Sequence, residues 1–382
     1  MQTKTKKFIS GLAMYCGTVI GVGLFGLPYV ASRVGFFVFL VYLLFIGFYS
    51  VIISLVYGEM VERTKGLHRL PGYSGIYLGK GSKIITSISG ITGLSLSLLA
   101  YIVVGGGFLG DLLIPIFGGQ KILYILIFFS LGATAIYFSA KSIAKIELLM
   151  LCFFFLIVLL LFFKSVPNMQ LENFLRFDKK FLFLPYGVLL FSMGGGSIIP
   201  EIKELTGKKY QSLLKPILIS GSIIVIITYL IFVVSILGVT GLNTSSDSFS
   251  GIQKYFDGIV PIFLVFGILT TFTSYLTLGS NLKKLYWYDL KIKHLFSWIF
   301  AVFIPLTLFY LGFKNFILII GVTGAIVGGV DMIFMNLCYL QAKKKGSQKP
   351  GFSLRLHPNV IYTIIAFFLA GIVMELLTLQ TY

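Results

Sequence analysis

The stretch GTVIGVGLFGLP, residues 17–28, sits inside a long apolar run and carries four glycines and a proline in twelve residues. Each glycine costs a helix about 1 kcal/mol relative to alanine, so an unbroken helix is a poor reading of it. The surroundings decide what is being broken. The chain of 382 residues is 57% hydrophobic, 16% aromatic and 12% charged, with a mean hydropathy of +0.97, whereas soluble domains carry about 25% charged residues. This is the composition of a polytopic membrane protein, and residues 17–28 read as an interruption within a membrane-spanning helix.

Apolar runs of the roughly 20 residues needed to cross a bilayer fall near 8–32, 36–58, 84–116, 121–140, 146–164, 181–202, 213–239, 258–282, 295–313, 315–340 and 359–380. Eleven spans are therefore expected in an all-α membrane domain covering 1–382. Basic residues are retained on the cytoplasmic side. An inner amino terminus places there Lys4, Lys6, Lys7, the 63–83 loop, Lys141, Lys145, the 203–215 stretch, Lys283 to Lys293 and the 343–355 segment. The carboxyl terminus is then external. The net charge of +18 reads as topology plus attraction to anionic inner-leaflet lipid, and a nucleic-acid partner is not expected. Lys6 and Lys7 before an apolar run resemble a signal peptide, but the run passes Pro28 without a cleavage site, so the segment is expected to stay. Cys16, Cys152 and Cys338 fall within spans and are expected as buried small residues rather than a disulfide framework.

Side-chain chemistry for an enzyme is missing from this pattern. His68, His294 and His357 show no metal-ligand spacing, and there is no HExxH, GxSxG or Walker motif. Most carboxylates fall at span ends: Glu59, Glu62, Glu147, Glu201, Glu204 and Asp289 inside, and Asp111, Glu172, Asp178, Asp247, Asp257 and Glu375 outside. Asp331 lies well within a span, where a carboxylate costs about 2.5 kcal/mol or more. It reads either as a functional group or as an acid satisfied by a lysine or hydroxyl near the inner end.

Glycine then carries the signal. Gly17 with Gly21, and Gly324 with Gly328, form GxxxG pairs suited to close helix packing. A second interrupted span, LPYGVLLFSMGGGSIIPEI at 184–202, has three consecutive glycines, Gly194 to Gly196, followed by Pro200. Packing alone does not require that. The breaks fall in spans 1 and 6, and each of those spans opens on KKF, at Lys6 and at Lys179. The repeat is five spans long, an odd number, so spans 1–5 (about 8–164) run opposite to spans 6–10 (about 181–340), with an extra span at 359–380. That is the pattern of an inverted repeat with its binding site where two broken helices meet near the midplane.

GTVIGVGLFGLPYVASRVGF resembles the first span of the amino acid/auxin permease family and the related bacterial aromatic and hydroxy amino acid permeases, within the amino acid/polyamine/organocation superfamily. The 184–202 stretch resembles that group's sixth span, and FTSYLTLGSNLKKLYW at 272–287 its eighth. The resemblance covers essentially the whole chain. It implies a five-plus-five, leucine-transporter-like fold and alternating access by rocking of spans 1, 2, 6 and 7 against spans 3, 4, 8 and 9. One position departs: where many relatives carry a histidine four residues before the sixth-span proline, this chain has Gly196.

On that frame, unwinding from Thr18 to Gly23 frees backbone groups that an amino acid ligand can satisfy. The N–H groups of Gly21, Val22 and Gly23 face its carboxylate at a helix N-terminus, and the carbonyls of Phe191, Ser192 and Met193 face its ammonium, with help from the Ser192 hydroxyl. Gly195 and its neighbours leave room for the side chain, and Tyr101 and Phe191 form an aromatic wall or gate. An apolar or aromatic amino acid is the expected substrate.

For the coupling cation, the resemblance implies a sodium site formed by Thr273, Ser274 and the carbonyls of Cys16 and Val19. Those hydroxyls are equally suited to bonding their own helix. Resemblance to the bacterial aromatic permeases implies proton coupling instead, although the fifth span, 146–164, lacks the central lysine that some proton-coupled relatives use. The expected function is a plasma- or inner-membrane amino acid symporter with the ion, H+ or Na+, left open. The competing reading is a receptor of the same fold that binds an amino acid without moving it.

Overall fold

In the computed structural model, the chain is all helix and connecting turn over its described residues, which are 2–138, 143–250, 252, 255, 256, 258 and 260–379. Lys141 and Asp257 lie outside these, as do the side chains of Lys145, Glu147 and Asp289. The helices are α1 (Gln2–Val19), α2 (Leu27–Val34), α3 (Phe36–Arg63), α4 (Leu70–Leu78), α5 (Lys80–Phe117), α6 (Lys121–Phe138), α7 (Ile143–Ser165), α8 (Leu184–Ser192), α9 (Ile199–Thr206), α10 (Leu214–Thr240), α11 (Val260–Lys284), α12 (His294–Tyr310), α13 (Phe316–Val322), α14 (Gly329–Lys345) and α15 (Pro358–Thr378).

Among the described residues, eight helices are long and apolar enough to cross a bilayer alone, and nine spans result if α1 and α2, bent by 48°, count as one. The other two spans expected from the sequence differ for a physical reason. The sixth is split into the short helices α8 and α9 around its glycines, and the ninth, α12, is a shorter apolar helix that carries Pro305 in its interior.

Each end of a helix has a local cause. Gly35 and Gly79 adopt positive φ (98° and 94°) and turn the chain between α2 and α3 and between α4 and α5. Pro28, Pro71, Pro185 and Pro200 sit in the first turns of α2, α4, α8 and α9, where the missing N–H costs no helical bond. The 63–83 loop is therefore not all loop, because it folds the short helix α4.

Large apolar side chains such as Phe48, Phe163 and Leu377 are 62%, 69% and 72% exposed, as expected of a surface that faces lipid rather than water. Cys152 shares that exposure, so the expectation of three buried cysteines holds for Cys16 and Cys338 and fails for Cys152.

Charge is kept at the helix ends and neutralised there. The buried Glu59 pairs with Arg63 at 2.7 Å and accepts hydrogen bonds from Ser353 Oγ (2.9 Å) and Leu354 N–H (2.6 Å). Glu62 accepts from Gly351 N–H at 2.6 Å. Together these tie the connection before α15 onto the end of α3. At the opposite side Asp111 pairs with Lys121 at 2.8 Å and accepts from Ser250 Oγ at 2.7 Å.

Candidate functional site

The first break is tighter than the sequence suggests. α1 stays helical through Thr18 to Val19, and its last regular bond runs from Ile20 N–H to Cys16 O at 2.8 Å. Gly21 is extended (φ −125°, ψ −156°), and residues 22–26 form a 3-10 turn that leads into α2. Thr18 is thus part of the helix wall, whereas Ile20 and Gly21 are the break. In the sixth span α8 ends at Ser192, Gly194 and Gly195 are non-helical, and a 3-10 turn at Gly196–Ile198 leads into α9.

The two breaks touch. A Cβ on Gly23 would stand 2.5 Å from Ser192 Oγ and 2.9 Å from Ser192 Cα, and one on Gly21 would strike the Tyr101 hydroxyl. A Cβ on Gly195 would strike Val19. These glycines are needed because another chain segment occupies the space of a side chain.

Side chains from other helices satisfy the freed backbone. Val22 N–H donates to Tyr101 Oη at 3.2 Å, and Ser50 Oγ donates to Met193 O at 3.2 Å. Tyr229 of α10 places its hydroxyl 3.0 Å from Val19 O and 2.6 Å from Ser192 O, within reach of both broken ends. Tyr15 links α1 to α3 and α10 through Ser54 (3.0 Å) and Ser222 (2.9 Å). Nothing in the sequence singled out Tyr229 or Tyr15 among 21 tyrosines. The only available signal was an isolated polar-tipped residue in an apolar span, where a buried hydroxyl usually finds a partner.

A cavity of about 310 Å3 opens between the breaks, at the lower end of the roughly 300–1,000 Å3 common for small-molecule sites. Thr18, Gly21, Val22, Gly23, Tyr101, Phe191, Ser192, Met193 and Gly195 all line it, so the structure brings the whole expected substrate set together, and Val19, expected as a cation ligand, lines it too. The Ser192 hydroxyl donates to Val188 O of its own helix at 2.7 Å, so towards a ligand it offers only its oxygen lone pairs, as an acceptor for an ammonium. Of the expected carbonyls, that of Phe191 already accepts from Gly194 N–H at 3.1 Å, alongside the Ser192 and Met193 contacts above. A carbonyl has two lone pairs, so each retains one for a ligand.

The cavity continues to Arg69, Leu70, Pro71, Thr86, Glu201 and Leu285, at the helix ends on the amino-terminal side. Past the first break, beyond the residues that line the cavity, aromatic rings pack into a roof. Phe25 meets Phe108 and Phe249 edge-on at 5.1 and 5.2 Å, and Phe232 lies 6.2 Å away. Ser248 donates to Phe25 O at 2.6 Å and so ties its own turn to the end of the first break.

The expected cation ligands are not brought to one point. Thr273 and Ser274 line a separate cavity of about 40 Å3 whose first-span wall is Gly17, Ile20, Gly21, Leu24 and Phe25. Cys16 and Val19 do not line it: Cys16 Sγ faces Gly221 O at 3.8 Å, Cys16 O accepts the helical bond from Ile20, and Val19 O receives Tyr229. The hydroxyls of Thr270, Thr271 and Thr273 each donate to a carbonyl of their own helix, at 3.0, 2.6 and 3.1 Å. This is the alternative the sequence left open. Asp331 likewise has a hydroxyl partner, Ser89 Oγ at 2.7 Å. Among the described residues no cluster of three metal-ligating side chains occurs.

Comparison with known proteins agrees with this geometry. The chain is 23% identical over 373 residues to "Glutamine transporter 2" of Aliivibrio fischeri, covering 94% of this chain and 93% of that one. It is 25% identical over 239 residues to "Tyrosine-specific transport system 1" of Haemophilus influenzae, covering 62% and 59%. Two solved structures share the fold: the inward-facing conformation of Mhp1 (TM-score 0.69, 12% identity, 98% of this chain and 90% of that one) and MhsT in complex with L-phenylalanine (0.66, 14%, 97% and 98%). The fold is thus leucine-transporter-like, as the paired breaks imply. A family model matches residues 4–377, and the chain belongs to the tryptophan/tyrosine permease family, a family of multi-pass membrane amino acid permeases rather than enzymes.

Proposed function

We propose that this permease imports a neutral apolar or aromatic amino acid by cation symport, with its amino terminus in the cytoplasm and its carboxyl terminus outside. The observation that carries the reading is the meeting of two broken helices around one cavity. The N–H groups of Gly21 and Gly23, on either side of the Val22 N–H held by Tyr101, suit a carboxylate, and the Phe191, Ser192 and Met193 carbonyls suit an ammonium. The remaining wall is mainly apolar: Ile53, Leu94, Leu190, Met332 and Met335. Such a wall favours an apolar or aromatic side chain over the amide that the glutamine-transporting relative handles.

The proposed organisation is a single transmembrane domain of two inverted repeats, about 8–164 and 181–340, with α15 added. With basic loops inside, the cavity faces the cytoplasm and the phenylalanine roof closes the outside, so the conformation is inward-open. Alternating access then consists of opening the Phe25–Phe108–Phe249 roof while the inner mouth near Arg69 and Glu201 closes.

Uptake of labelled tryptophan, tyrosine, phenylalanine, leucine and glutamine into proteoliposomes, under proton and sodium gradients imposed separately, tests this. Concentrative uptake of an apolar or aromatic species is expected. Preferred uptake of glutamine would overturn the substrate class, and saturable binding without accumulation would replace the transporter by a receptor.

A further inference from the structure

Asp331 faces the same cavity as both breaks but is remote from the ligand positions. Its partner Ser89 stands twelve residues before Tyr101 on α5, about 18 Å along the axis at 1.5 Å per residue. Ser89 Oγ has one hydrogen and two acceptors in reach, Asp331 Oδ1 at 2.7 Å and Val327 O at 3.3 Å. Val327 belongs to a π-helical turn, Thr323–Gly328, that joins α13 to α14. In the same turn Gly324 lies so close to Gly187 O and Phe191 N that a Cβ there would overlap both. The carboxyl group is thus one hydrogen bond and one helical turn from the sixth-span break.

We infer that Asp331 carries the coupling proton of the transport cycle, and that Ser89 reports its protonation to the π-helical turn; this rests on the symport reading above. With the cavity open to the inner side, the ionised carboxylate is hydrated and holds the Ser89 hydrogen bond. When that side closes, a lone carboxylate that loses its water must take a proton or a cation. Among the described residues no Lys, Arg or His nitrogen lies within 4.0 Å of it. Of the elements packed on α14, α3 turns Tyr57 towards it, with Tyr73 of α4 behind that ring. α5 supplies Ser89, and α15 sets Phe368 and Ile372 against Gly329. Arg69 and Glu201 line the same cavity and have partners of their own. A hard cation takes about six oxygen ligands, more than the carboxylate and the Ser89 and Tyr57 hydroxyls beside it supply.

The step balances simply. In the outward-open state water entering through the opened roof reaches Asp331 along the cavity it shares with the breaks, and a proton from that water forms an O–H bond at the carboxylate. After reorientation that bond breaks and the proton passes to cytoplasmic water, so one positive charge enters with each zwitterionic substrate. While Asp331 is protonated, Ser89 is released to donate to Val327 O, which changes the π-helical turn that touches Phe191.

Proteoliposomes of wild type, Asp331→Asn, Asp331→Glu and Ser89→Ala are compared in two assays: substrate counterflow without ion gradients, and accumulation driven by an inward proton gradient, with a trapped pH dye reporting proton entry. Asp331→Asn is expected to keep counterflow within about threefold of wild type while gradient-driven accumulation and proton entry fall by about tenfold or more. Asp331→Glu should retain both, with an altered pH profile, and Ser89→Ala should shift that profile without abolishing counterflow. Unchanged proton entry in Asp331→Asn, loss of its counterflow together with its accumulation, or sodium-driven accumulation that the variant leaves intact would each overturn the assignment. Failure of the wild type to move any amino acid would instead overturn the transport reading, which separates the two.

Discussion

The hydroxyl of Tyr229 lies 2.6 Å from the carbonyl oxygen of Ser192. The Tyr229 hydroxyl is also 3.0 Å from Val19 O, so one side chain of the seventh span holds the broken ends of the first and sixth together. Its one hydrogen serves one of the two carbonyls, so removing it leaves a carbonyl at the break short of a donor in a buried site, which costs about 1–3 kcal/mol. Tyr229→Phe should therefore lower thermal stability in detergent by that amount and reduce uptake about tenfold. Wild-type uptake with unchanged melting would show that the link is incidental.

Gly21 lacks a side chain because the Tyr101 hydroxyl fills its place. Gly21→Ala should cut transport severely by displacing that phenol, and Tyr101→Phe in the same chain should restore part of it by removing the clashing oxygen. Uptake by the single and double variants checks this. A double variant no better than Gly21→Ala would mean that the glycine is required for its backbone shape alone.

The phenylalanine roof makes a population prediction. Aromatic pairs of this kind are worth about 0.5–1.5 kcal/mol each, and Phe249 engages Phe25 and Phe108 together. Phe249→Ala should shift the protein towards the outward-open state. In a background without native cysteines, Thr18→Cys should then react faster with a membrane-impermeant thiol reagent applied from outside, by about fivefold or more. An unchanged rate would mean that other contacts hold the outer side closed.

Glu59 is fully buried and is satisfied by Arg63, Ser353 and Leu354. Glu59→Gln removes the charge that Arg63, itself partly exposed, pairs with, so the cost falls below the about 3–5 kcal/mol of breaking a fully buried pair. Hydrogen exchange should rise in residues 350–356, and thermal stability should fall. Unaltered protection there would show that the segment is held by other contacts.

Much of the fold was legible because the bilayer allows so few solutions. Helix is forced, span length is set by thickness, and a glycine run with a proline has meaning only where it is buried. Gly21, Gly23 and Gly194 to Gly196 were readable as breaks for that reason. The limits of the first break were not, since Thr18 and Val19 stay helical once Tyr229 and Tyr101 satisfy the groups around them. The hydroxyls of Ser192, Thr270, Thr271 and Thr273 were ambiguous in sequence, because bonding one's own helix and bonding a ligand need the same residue types. Only coordinates separate the two. Ser89 as the partner of Asp331 was hidden by a separation of 242 residues.

The central claim is that two broken helices enclose a transported amino acid. Its most direct measurement is gradient-driven uptake of labelled apolar and aromatic amino acids into proteoliposomes containing wild type, Gly23→Val or Gly195→Val. A Cβ at either glycine meets the opposing break, so both folded variants should lose accumulation that the wild type shows. Wild-type accumulation by both variants would contradict the account.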